Sequence, residues 1–131
     1  MKINILSLAI YAAVLLSPAH PVTAQTCSPV SNLTAQRSAQ AAALNWQVAQ
    51  PADAILCYRW TMQQHGWRYD WQLLLPGGAT SYVDSTLGPS KTYEYAIALH
   101  YPDCGWTTWQ YVVVGPYSST STSPQSPGKT P

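Results

Sequence analysis

Phenylalanine is absent from this 131-residue chain, and only 8% of its residues are charged. Six Lys+Arg stand against five Asp+Glu, a formal charge of +1, so neither sign dominates. That balance excludes binding driven mainly by phosphates or anionic lipids. So few Glu and Lys also exclude a long solvated helix or a coiled coil, whose outer faces need them. Catalytic and metal signatures are missing as well: there is no CxxC, HExxH or HxH spacing, no GxSxG and no Gly-rich phosphate cradle. A carboxylate pair for glycoside hydrolysis would have to come from Asp53, Asp70, Asp84, Asp103 and Glu94 alone. These absences predict a protein with no catalytic activity, no metal and no cofactor. The length allows one domain, not two.

The two ends differ from the middle. Residues 1–24 read as a secretory signal peptide: Lys2, then an apolar run from Ile5 to Leu16, then Ser17-Pro18 and Val22-Thr23-Ala24. A run of about 12 residues is too short to cross a bilayer at about 1.5 Å per residue. Ala24-Gln25-Thr26 lacks the small residues expected directly before a lipidated Cys27. Processing after Ala24 leaves five basic and five acidic groups, a formally neutral chain with no membrane anchor. Residues 118–131 are Ser, Thr, Pro, Gln, Gly and Lys only. That composition predicts a disordered tail or linker. The expected folded domain is 25–117, and the expected location is secreted, in an oxidising compartment.

Between Cys27 and Tyr117 the pattern is that of short strands. Leu44, Trp46 and Val48 alternate with polar neighbours. Ala54 to Met62 carries Ile55, Tyr58, Trp60 and Met62, and Trp67, Tyr69, Trp71 and Leu73 alternate with Arg68, Asp70 and Gln72. Thr80–Val83 is a brief β-branched and aromatic piece; Tyr93, Tyr95, Ile97 and Leu99 share one side of the next segment; Thr107–Val114 is the last. Pro76-Gly77-Gly78, Gly88-Pro89-Ser90 and Gly115-Pro116 punctuate the series. Six or seven strands at intervals of about ten residues predict an all-β, two-sheet antiparallel sandwich.

The ordered set of residues resembles a fibronectin type III domain from Pro29 to Tyr117. Pro29-Val30-Ser31-Asn32-Leu33-Thr34 is similar to that family's opening strand, and Leu44-Asn45-Trp46 to its second, where Trp46 plugs the core. Tyr58-Arg59-Trp60 is similar to the third strand, with Trp60 in place of a smaller aliphatic. Thr80-Ser81-Tyr82-Val83-Asp84, Leu87-Gly88-Pro89 and Tyr93-Glu94-Tyr95-Ala96-Ile97 resemble the corner that leads into the sixth strand. The resemblance implies an immunoglobulin-like sandwich of about seven strands. Its structural residues would be Trp46, Tyr58, Leu87, Tyr93, Tyr95 and Ile97, with Tyr93 as the corner tyrosine.

With Tyr58 and Trp60 facing the core, Cys57 faces outward and a Cys57–Cys104 disulfide is the first candidate. Cys27–Cys104 is the alternative, since both lie at one pole of the sandwich. Asn32-Leu33-Thr34 is a glycosylation sequon that matters only in a host that glycosylates. The surplus aromatics are the candidate binding residues: Trp67, Tyr69 and Trp71 on an edge strand, Trp106 and Trp109 near the last. The last strand can present either Trp109, Tyr111 and Val113 or Gln110, Val112 and Val114 to the core. Exposed rings of this kind predict a binding or adhesion module that meets an extracellular protein or glycan surface. A carbohydrate-binding domain, or a spacer accompanying an extracellular enzyme, is the alternative.

Overall fold

A computed structural model describes residues 26–119; the expected signal peptide and nearly all of the expected tail lie outside them. The described residues form eight strands and no helix. In chain order they are β1 (Ser31–Arg37), β2 (Ala42–Gln47), β3 (Ala54–Gln63), β4 (Gly66–Pro76), β5 (Ser81–Asp84), β6 (Tyr93–Tyr101), β7 (Gly105–Trp106) and β8 (Gln110–Val114). A three-stranded sheet runs β1-β2-β5; a five-stranded sheet runs β4-β3-β6, with both β7 and β8 paired to β6. Every pairing is antiparallel. This is the two-sheet sandwich that the alternation predicts.

The core lies between the sheets because each contributes one apolar face. Ala42, Leu44 and Trp46 of β2 are buried, as are Tyr93, Tyr95, Ile97, Leu99 and Tyr101 of β6. The buried polar ends find partners. Trp46 Nε1 donates to the Ala79 carbonyl at 2.8 Å. The Tyr93 hydroxyl accepts from Gly88 N–H at 2.7 Å and so ties the β5–β6 corner to β6. Tyr101 donates to the carbonyls of Ser28 and Gln50 at 3.1 and 3.3 Å. In β1 the register shifts between Ser31 and Thr34, and Asn32 sits there at φ 52°, a left-handed conformation that Asn tolerates better than most residues.

Two expectations are corrected. First, β3 has the opposite phase. Ile55, Cys57, Arg59 and Thr61 are buried inward, whereas Tyr58 and Trp60 belong to the outer, half-buried side. Tyr58 is therefore not a core residue. The phase is set by charge: Arg59 is the partner of two carboxylates, and turning it outward would strand Asp84 in the interior without a counter-ion. Second, the disulfide joins Cys27 to Cys104, not Cys57 to Cys104. Cys57 is a free thiol with no exposed surface, in the middle of the inner face of β3. The bond ties the segment before β1 to the turn between β6 and β7.

Candidate functional site

β4 is the outer edge of the five-stranded sheet, and its pairing with β3 sorts its aromatics. Trp67 lies opposite Met62, Tyr69 opposite Trp60 and Trp71 opposite Arg59. The register shifts between Arg59 and Trp60, leaving Asp70 as an extra residue in β4. That bulge breaks the expected single stripe. Trp67 and Tyr69 stay on the outer face, while Trp71 turns inward against the core. Its ring lies 5.9 Å from Tyr82 and 6.3 Å from Tyr95, and the Arg59 guanidinium sits 5.1 Å from its centre. Trp71 is therefore a packing residue and not part of an exposed surface.

The bulge also delivers Asp70 to the inner side. Its carboxylate accepts from Arg59 Nε at 2.9 Å and from the Thr61 hydroxyl. Arg59 Nη1 donates to Asp84 at 2.6 Å and to Thr86 Oγ1 at 2.7 Å, and the Tyr95 hydroxyl donates to Asp84 at 2.7 Å. Thr86 donates to Asp84 through both its N–H and its hydroxyl. Burial resists ionisation of Asp84, but these donors overcome it and hold its carboxyl below the usual aspartate range. Burial raises the Tyr95 hydroxyl far above the usual phenol range, and its bond to Asp84 adds to the effect. Burial, assisted by the Asp84 charge, pushes the Cys57 thiol up to about 12. The network clamps β5 of one sheet to β3 and β4 of the other.

The opposite side of the large sheet is different. Its outward register positions carry Leu56, Tyr58, Trp60 and Met62 from β3, and Trp67, Tyr69, Gln72 and Leu74 from β4. β6 adds Glu94, Ala96, Ala98 and His100, β7 adds Trp106, and β8 adds Tyr111 and Val113. Tyr58 lies at the centre. Its ring is 5.5 Å from Trp60, 6.0 Å from Tyr69 and 5.1 Å from Trp109. Trp109 is accordingly half-covered, and Ala96 and Ala98 have no exposed surface. Around this cluster the rings stand in solvent: Trp67 is 40% exposed, Tyr69 50%, Trp106 46% and Tyr111 58%. Trp106 meets the His100 ring edge-on at 4.9 Å, and Asp53 holds His100 Nδ1 at 2.9 Å. Val112 and Val114 of β8 pack inward, which leaves Tyr111 and Val113 outside.

Seven of the nine large hydrophobic side chains that are exposed among the described residues lie on this one face. Scattered exposed hydrophobics need no explanation, but a contiguous patch does. Tyr58 and Trp60, expected in the core, belong to this face instead. The signal for them was available in the even-numbered series Leu56, Tyr58, Trp60, Met62, had Arg59 been taken as the inward residue.

Away from this face, a shallow open cleft of about 560 Å³ lies beside Trp46, lined by Ser31, Gln47, Val48, Ala49 and Thr80. It holds no titratable side chain. Among the described residues, no cluster of three or more His, Cys, Asp or Glu is placed to hold a metal ion.

Comparison with solved structures gives the same architecture. The chain aligns with the fibronectin type III domain of the human collagen alpha-1(XX) chain at 23% identity and a TM-score of 0.56, covering 82% of this chain and 96% of that one. It aligns with the third fibronectin III domain of human KIAA0343 protein at 15% identity and a TM-score of 0.55, covering 82% and 98%. It also aligns with the pectate lyase Pel3 of Pectobacterium carotovorum at 15% identity and a TM-score of 0.53, covering 72% of this chain but only 29% of the lyase. No protein-family model matches the chain, and no curated protein does. The fold is that of a fibronectin type III-like domain.

Proposed function

We propose that this protein is a secreted, non-catalytic binding module whose working surface is the outer face of the five-stranded sheet. The observation that carries the reading is the concentration of exposed rings there, at Trp67, Tyr69, Trp106 and Tyr111. Trp and Tyr are efficient anchors because they bury a large area while freezing few rotors. Tyr58 packs against Trp60, Tyr69 and Trp109, a ring cluster that supports preorganisation of this part of the face. The signal-like N-terminus and the Cys27–Cys104 disulfide support an extracellular setting. Three of the five acids are held by partners, Asp70 and Asp84 by Arg59 and Asp53 by His100, which supports a non-catalytic reading.

The test is retention of material from the producing organism's own extracellular and cell-surface fraction on the immobilised, processed domain. A variant carrying Trp67→Ala, Tyr69→Ala and Tyr111→Ala is run beside it, together with Val83→Ala, which alters an exposed side chain of the other sheet. Retention by the native domain and by Val83→Ala, lost in the triple variant, is the expected result. Equal retention by all three excludes the face.

A further inference from the structure

Resting on that reading, we propose that the ligand of the outer face is an uncharged polysaccharide. Charge is the first argument. None of the outward positions of β3, β4, β6, β7 and β8 is a Lys or an Arg, and the ionisable groups among them are Glu94, His100 and the Tyr hydroxyls. A face without Lys or Arg, whose one imidazole is already bonded to Asp53, has little to compensate uronate, sulfate or phosphate, so acidic glycans and nucleic acids do not match it.

Ring chemistry is the second argument. Every aromatic on the face is Trp or Tyr, and the chain has no Phe at all. Each ring therefore joins an apolar flat to a polar tip. A sugar ring has the same dual character: axial C–H groups that pack on an aromatic face, and equatorial hydroxyls that bond around the rim.

Placement of the polar groups is the third. Glu94 stands in register with Trp60 on one side and Val113 on the other. Gln72 is paired with Tyr58, and His100 with Trp106. Hydrogen-bonding groups thus stand beside rings in three cross-strand rows, with the apolar row Leu74–Leu56–Ala98 between the second and the third. Along β3 the face runs from Ala54 to Met62, about 27 Å at about 3.4 Å per residue. An extended chain of several sugar units spans that length; a single sugar uses only a fraction of it.

The experiment is affinity electrophoresis of the processed domain in native gels containing hydroxyethylcellulose, xyloglucan, arabinoxylan, galactomannan or polygalacturonate. Sedimentation with insoluble cellulose and chitin accompanies it. Retardation or co-sedimentation with at least one neutral polysaccharide, and none with polygalacturonate, is expected. Trp67→Ala and Tyr111→Ala each weaken that binding by about tenfold, whereas Val83→Ala leaves it unchanged. Circular dichroism confirms that each variant keeps the native fold. Absence of binding across the neutral panel overturns the inference. If a protein from the extracellular fraction is still captured through the face, or if sedimentation shows a dimer lost in the triple variant, the binding face stands and the polysaccharide does not. If neither capture nor dimer depends on the face, both readings fall. Binding that survives both ring substitutions also overturns the inference, because the glycan then sits elsewhere.

Discussion

Arg59 decides which way β3 faces. Its guanidinium bonds to Asp70, Asp84 and Thr86 and lies 5.0 Å from the centre of the Tyr93 ring. Removing one partner of such a buried set leaves an uncompensated charge behind. Arg59→Met should lower unfolding free energy by about 3–5 kcal/mol, read as a shifted denaturant midpoint. The same network sets the response to acid. The Asp84 carboxyl is held below its usual range in the fold, so the unfolded chain takes up the proton first. Its contribution to stability is present above about pH 3.9, the ordinary aspartate value, and is lost as pH falls through the lower folded value. Melting temperature is therefore expected to hold from neutral pH to about 5 and to drop below about 4, with a smaller drop in Asp84→Asn. Cys57 gives a third test at this scale. Buried and protonated, it should resist thiol reagents in the native protein and titrate as one thiol per chain after denaturation.

At the scale of the strand, legibility follows how strongly one face differs from the other. β6 was readable because Tyr93, Tyr95, Ile97 and Leu99 alternate with Glu94, two alanines and His100. β2 was readable through Leu44 and Trp46. β3 was not, because its more apolar side, Leu56, Tyr58, Trp60 and Met62, is the outer one, while the inner side carries Arg59 and Thr61, so the pattern points the wrong way. The disulfide assignment failed with it: once Cys57 points inward, only Cys27 remains for Cys104. β4 hid a different feature. Asp70 reads as an ordinary polar position in an alternating strand, yet it is the bulge that separates Trp71 from Trp67 and Tyr69. This division predicts unlike costs for like substitutions. Trp71→Ala should destabilise by about 3–5 kcal/mol. Trp67→Ala should change stability by no more than about 0.5–1 kcal/mol. Equal losses in thermal melts would place both rings on one side and contradict the bulge. Reduction of Cys27–Cys104 frees the segment before β1 from the β6–β7 turn and should cost about 2–5 kcal/mol.

Over the whole molecule, the two faces of the five-stranded sheet divide the work. The inner face holds the core and the Arg59 clamp, and both sheets depend on it. The outer face carries its own ring cluster around Tyr58 and ends in exposed Trp and Tyr. The sandwich was legible from strand spacing and from the corner around Tyr93; the extent of the outer face was not, since it depends on the phase of β3 and the bulge of β4. The account's central claim is that Trp67, Tyr69, Trp106 and Tyr111 face solvent in the free protein and are covered when it binds. Hydroxyl-radical footprinting of the processed domain, alone and on the material that retains it, measures this directly. Strong labelling of all four in the free protein, protection of the same four on binding, and no labelling of Trp46 in either state is the predicted result. Protection of these rings in the free protein, or labelling that binding leaves unchanged, would contradict the account.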